Sequence, residues 1–178
     1  MHRIFAALPV PSHISERLLP LRNDLPGASW RLAQHHHVTL QYYGDVQIEM
    51  AEEVAAALEQ IQAPALELRL DGVGWFGRKE PRAIYARIGG LEALDQLANN
   101  CRKIAHRFGL KIDSKPFKPH ITLAYCKDTP LEMVRAWSED FQTLRSEPFL
   151  IDSFHLYESF TGHARQNRYE PQADYQLI

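Results

Sequence analysis

Apolar positions along the chain follow two rhythms, one of period two and one of period 3.6. Residues 3–8 form a short apolar run closed by Pro9, which reads as a buried strand. Residues 37–43 alternate polar and apolar up to Gly44 and Asp45, predicting a strand with a turn after it. Residues 66–72 alternate strictly, so Leu66, Leu68 and Leu70 share a buried face. Residues 83–88, 117–126, 149–160 and 169–177 read as further strands, the last two joined through Gly162, and Trp30 to Leu32 as a short strand or edge. Between them the period lengthens. Ser12 stands where it would cap a helix running to about Asn23. Val54, Leu58 and Ile61 mark one face of a helix over 49–61, stopped by Pro64. Leu94, Leu97, Cys101, Ile104 and Phe108 mark another over 91–108, ended by Gly109. Residues 130–141 make the fourth helix.

The order strand, helix, His-bearing strand, helix, strand occurs twice. That predicts a divergent internal duplication of about 80–90 residues. The expected fold is α+β: two pseudo-symmetric lobes of antiparallel sheet, facing one another, with outer helices and a central groove. No low-complexity segment or long linker divides the chain, so residues 1–178 are expected to be one domain.

A chain of 178 residues with 45% apolar and 10% aromatic positions can bury a sizeable core. Its net charge of −2 argues against non-specific duplex binding as its main business, while leaving room for a local basic patch. Cys101 and Cys126 are not spaced as a zinc knuckle or a redox pair, and read as reduced thiols. The first apolar run is broken by Pro9 and Pro11, too short for a signal-peptide core or a membrane span. The expected location is the cytoplasm, with no membrane partner.

The chemistry lies in a repeated tetrapeptide. His37, Val38, Thr39, Leu40 and His120, Ile121, Thr122, Leu123 share the pattern His, β-branched, Thr, Leu. Composition alone yields roughly 0.03 copies of His-x-Thr-Leu, so two would arise in about one such chain in 2000. Strand residues i and i+2 point to one face, about 6–7 Å apart. Each copy therefore presents an imidazole beside a hydroxyl, while Val38, Leu40, Ile121 and Leu123 point into the core. In-line attack at phosphorus needs a base on the entering oxygen and an acid on the leaving one. Histidine serves as either near neutral pH. Hydroxyls of Thr39 and Thr122 can donate to the non-bridging oxygens. A strained cyclic phosphate suits this set without a metal or other cofactor, and a bell-shaped pH–rate profile is expected. A rate rising steadily from about pH 5 to 9 would count against it. The alternative, two unreactive polar strand residues, does not explain the retained threonines.

With these residues the chain resembles the RNA 2′,3′-cyclic phosphodiesterase (2′-5′ RNA ligase) family of the two-histidine, or 2H, phosphoesterases. The resemblance runs over nearly the whole chain. Arg3-Ile-Phe-Ala-Ala with Pro11 looks like the family's opening strand, and Trp30 like its tryptophan ahead of the first motif. His37-Val-Thr-Leu-Gln-Tyr-Tyr-Gly-Asp-Val matches the first motif, with Tyr42-Tyr43 where the family usually has Phe-Leu. Phe117-Lys-Pro-His-Ile-Thr-Leu-Ala matches the second. Leu156-Tyr-Glu-Ser and Tyr169 look like the last hairpin. One departure is Tyr125, where the family often carries arginine. The resemblance implies hydrolysis to a 2′-phosphate end, and reversal to a 2′-5′ bond. It implies His37 as proton donor and His120 as proton acceptor; the two copies themselves look equivalent. RNA ends or small nucleotide cyclic phosphates are the expected partners, and a monomer is expected.

Other residues carry weaker signals. His35, His36 and His37 are consecutive, but strand neighbours alternate faces and cannot converge on one metal ion, so a solvated loop entering the strand is expected. Arg78, Lys79 and Arg82, beside Trp75 and Phe76, could hold a backbone and stack a base; a plain hairpin loop is the competing reading. Lys115 and Lys118 precede His120; Lys118, two residues before it, could share its face and help neutralise phosphate, with an ordinary exposed lysine as the competing reading. His155 and Tyr157 share a face, and Tyr157 is a candidate for the groove wall. Arg165 and Arg168 read as solvated turn residues. Two other functions compete: a 2H phosphodiesterase for 2′-5′ oligonucleotides or small cyclic phosphates, and a nucleotide- or RNA-binding module without turnover.

Overall fold

The structure, a computed structural model, describes residues 1–162 and 167–178. Arg165 lies outside the described residues. Among the described residues, nine strands and four helices follow in the order β1 (His2–Pro9), α1 (Ser12–Leu18), β2 (Ala28–Trp30), β3 (His37–Val46), α2 (Ile48–Glu59), β4 (Leu66–Phe76), β5 (Ala83–Gly89), α3 (Leu91–Arg107), β6 (His120–Cys126), α4 (Leu131–Phe141), β7 (Phe149–Ile151), β8 (Ser153–Phe160) and β9 (Arg168–Gln176). Short 3-10 turns cover Leu19–Leu21 and Ala33–His35.

All strand pairs are antiparallel, in the order β7-β4-β5-β6-β3-β1-β8-β9, with β2 beside β6. The α+β class expected from the alternating rhythms is what forms. The two lobes are not separate facing sheets, however. They are halves of one curled sheet, joined where β3 and β6 meet at a single pair, Val38 with Ile121. The strand order mirrors itself about that junction: β1 flanks β3 and β5 flanks β6.

Each motif strand buries its alternate residues. Val38, Leu40, Ile121 and Leu123 are 4% exposed or less. They join Leu58, Leu66, Leu68, Leu70, Leu94 and Leu97 in one apolar core between sheet and helices. Burial of these side chains is worth about 1.5–3 kcal/mol each, before conformational entropy is subtracted. The Tyr43 hydroxyl donates to the Cys101 carbonyl at 3.0 Å and ties β3 to α3. Burial pushes the Cys101 thiol up to about 12, and both cysteines are free.

Some local expectations fail for identifiable reasons. Ser12 makes no capping bond; Pro11 occupies the cap position and the helix gives way to a 3-10 turn at Leu19, ahead of Asn23, with Pro20 inside it. Gly44 does not start a turn. It takes φ +88° inside β3, and the register with β1 slips there, so the glycine serves a bulge and the strand continues to Val46. His36 is 7% exposed rather than solvated, because the turn at Ala33–His35 sends its ring to the same side as Val38.

Candidate active site

Register builds the site. Val38 opposite Ile121 sets His37 across from Thr122 and Thr39 across from His120. The two imidazoles therefore occupy diagonal corners, and the two hydroxyls the other diagonal. Diagonal neighbours of this kind stand about 7–8 Å apart, room for one tetrahedral phosphorus between them. The expected imidazole–hydroxyl couples are thus brought together, edge to edge on one sheet rather than from opposing sheets.

The motif leucines have a use that alternation does not reveal. On β3 the register with β1 skips Leu40, between Thr39 (opposite Ala7) and Gln41 (opposite Ala6). On β6 the register with β5 skips Leu123, between Thr122 (opposite Tyr85) and Ala124 (opposite Ile84). Each motif ends on a β-bulge, which bends the strand and sharpens its twist next to the His and Thr side chains.

Both rings are fixed the same way. The His37 Nδ1–H donates to the His35 carbonyl at 2.8 Å, and the His120 Nδ1–H to the Lys118 carbonyl at 2.5 Å. With Nδ1 committed, Nε2 is the nitrogen left for proton transfer on each. Aromatic rings frame them. Phe5, Tyr157 and Tyr169 lie 5.2, 6.3 and 5.1 Å from the His37 ring. Phe76 and Tyr85 lie 4.8 and 5.1 Å from His120. Burial lowers His37 to about 4, with the charges of Arg31, His120 and His36 adding to it and the His35 carbonyl opposing. Burial also lowers His120, helped by Lys118 and opposed by the Lys118 carbonyl. Both imidazoles are therefore neutral at pH 7 in the free protein, and protonating one disfavours protonating the other.

Two cavities share the walls Thr39, Tyr42 and Tyr125. The smaller, about 250 Å³, holds His37 with Phe5, Asn167 and Tyr169. The larger, about 830 Å³, holds His120 with Phe76, Arg82, Arg102, Lys115 and Lys118. Thr122 is half-buried beside His120 but is not among the lining residues of either. Lys118 precedes β6 and lays its Nζ 5.7 Å from the Phe76 ring and 5.8 Å from Tyr85. Arg82 and Phe76 of the basic loop face the larger cavity, whereas Arg78 and Lys79 are exposed and line neither. Tyr157 stacks on Phe5 at 5.4 Å and packs near the His37 ring but lines neither cavity; His155 pairs with Asp174 at 2.5 Å. Arg168 pairs with Glu170. Sequence reasoning missed Phe5, Tyr85 and Arg31. Phe5 and Tyr85 sat inside apolar runs indistinguishable from core. Among the described residues no group of three or more His, Cys, Asp or Glu is arranged to hold a metal, and no helix is long and apolar enough to cross a membrane.

A curled antiparallel sheet that sets two His-x-Thr strands edge to edge is the scaffold of the two-histidine phosphoesterase class. Within that class the chain belongs to the 2′-5′ RNA ligase superfamily, whose model matches residues 10–162. It is 33% identical over 128 residues to the RNA 2′,3′-cyclic phosphodiesterase of Geobacillus stearothermophilus, a match covering 67% of this chain and 40% of that protein. It is 31% identical over 132 residues to the RNA 2′,3′-cyclic phosphodiesterase of Escherichia coli K12, covering 68% of this chain and 70% of that protein. The crystal structure of E. coli LigT complexed with 3′-AMP shares the fold with a TM-score of 0.77 at 26% identity, over 99% of this chain and 98% of that one.

Proposed function

We propose that this protein hydrolyses the 2′,3′-cyclic phosphate end of RNA to a 2′-phosphate without a metal, with His37 as acid and His120 as base. The observation that carries the reading is the diagonal placement of two identically tethered imidazoles, in adjoining cavities that share Thr39, each with a threonine hydroxyl as neighbour. In the reaction, His120 Nε2 takes a proton from water as its oxygen bonds to phosphorus. The bond from phosphorus to O3′ breaks, and His37 Nε2 gives O3′ its proton. Thr39 and Thr122 donate to the non-bridging oxygens as charge builds there. The products are a 2′-phosphate and a free 3′-hydroxyl. With an RNA 5′-hydroxyl attacking the cyclic phosphate in place of water, the same groups would form a 2′-5′ linkage and release the 3′-hydroxyl.

The names of the curated relatives support this substrate, and the match to LigT bound to 3′-AMP supports a groove that takes nucleotides. The test is turnover of a nucleoside 2′,3′-cyclic monophosphate in excess chelator, with the phosphate isomer identified. Wild-type protein should give the 2′-phosphate. His37→Ala and His120→Ala should each lose about 10²–10⁴-fold in rate. Full activity in either variant, or abolition by chelator, overturns the reading.

A further inference from the structure

We propose that Arg31 is a binding residue for a phosphoryl group of the substrate, reached through the cavity that holds His37; this rests on the phosphodiesterase reading above. Arg31 is 8% exposed, yet no carboxylate among the described residues forms an ion pair with it. A buried cation without a counter-charge is costly, and proteins retain one where an anion completes it. Its guanidinium carbon lies 5.6 Å from the Tyr125 ring and 5.2 Å from the Tyr169 ring. These rings are suited to the faces of the group, while its N–H donors lie in its plane. Among the described residues, one of the five donors is used, by Nη2 to the Asn167 carbonyl at a long 3.4 Å.

The surroundings point the same way. Tyr125, Tyr169 and Asn167 all line the 250 Å³ cavity together with His37 and Thr39. No aspartate or glutamate lines it, and Arg3, which does, already pairs with Asp45. The Arg31 charge pushes His35, His36 and His37 toward their neutral forms and opposes the effect of burial on the Tyr169 hydroxyl. Arg31 itself is not part of the cavity wall but adjoins Tyr125, Tyr169 and Asn167, which are, and among the described residues that wall has no acidic side chain. A phosphoryl group is the anion the reaction brings, and a guanidinium edge matches two of its oxygens.

The phosphoryl group has two sources, the reacting cyclic phosphate or the next phosphodiester of the chain. Kinetics with a nucleoside 2′,3′-cyclic monophosphate and with a dinucleotide ending in the same cyclic phosphate separate them. In Arg31→Gln, KM should rise at least about tenfold, with a smaller change in kcat, and Arg31→Lys should fall between. A rise with both substrates assigns Arg31 to the reacting phosphate. A rise with the dinucleotide alone assigns it to the neighbouring phosphodiester. Unchanged KM for both in folded Arg31→Gln overturns the inference. Should that variant not fold, inorganic phosphate titrated into wild-type protein should shift the Arg31 Nε–H resonance, and a stationary resonance overturns it. Absence of turnover in wild-type protein would sink the phosphodiesterase reading alone, since the phosphate titration reads Arg31 without catalysis.

Discussion

His36 and His37 are consecutive and meet different surroundings. His36 turns under the sheet, its Nδ1 without a hydrogen-bond partner, and burial first, then Arg31 and His35, lower it to about 4. His37 turns into the groove and is also lowered to about 4. For both, the folded value lies below the ordinary 6.5, so the unfolded chain takes up protons first as pH falls. The stability that neutral rings contribute is complete above pH 6.5 and is lost as pH drops toward 4, by up to about 3 kcal/mol for each. Urea midpoints should therefore fall steeply between pH 6.5 and 4.5, and less steeply in His36→Asn; parallel curves for the two proteins would contradict this. The same shifts bear on rate. With both imidazoles lowered in the free protein, kcat/KM should peak on the acid side of pH 6.5 and fall at higher pH as the acid loses its proton. The anionic substrate raises the neighbouring imidazoles, so kcat should peak at higher pH than kcat/KM. Coincident profiles for the two parameters would show that bound phosphate does not retune the pair.

Strands and their bulges set where those rings point. Alternation along residues 37–40 and 120–123 placed His and Thr on one face and the apolar pair on the other, as found. The bulges at Leu40 and Leu123 were not legible, because a bulge is a mismatch between two strands and the partner is unknown from one of them. Gly44 misled for the same reason. A positive φ serves a turn or a bulge equally, and only pairing with β1 decides. Gly74 shows how closely neighbouring strands fit behind the site. A Cβ there would lie 2.7 Å from the Tyr85 hydroxyl and 2.8 Å from its ring, and Tyr85 is 1% exposed and packs on His120. Gly74→Ala should therefore displace Tyr85, cost about 1–3 kcal/mol in urea denaturation, and lower kcat through His120. Wild-type kcat in a protein destabilised by that amount would show that Tyr85 does not position the histidine.

Across the whole molecule the site exists only because two halves of the chain meet at Val38 and Ile121. Ile121 is fully buried, so Ile121→Ala should cost about 2–5 kcal/mol by denaturation and loosen the junction, lowering kcat beyond what the cavity alone explains. Retained kcat in that variant would mean that the two lobes hold their spacing without this contact. The repeated His-x-Thr-Leu was visible from the start because local alternation fixes which side chains share a strand face, and covalent order fixes the repeat. So the chain by itself determined the candidate reacting groups, the α+β class and the apolar underside of each motif. Tertiary structure alone decided that the two strands lie edge to edge, that β1, β4, β5, β8 and β9 supply the aromatic frame, and that Arg31 stands between two tyrosines near His37. Those contacts join residues far apart in the chain, such as Phe5 with Tyr157 and Arg31 with Tyr169. Their pairing follows from the global packing of the sheet, to which no local periodicity gives access.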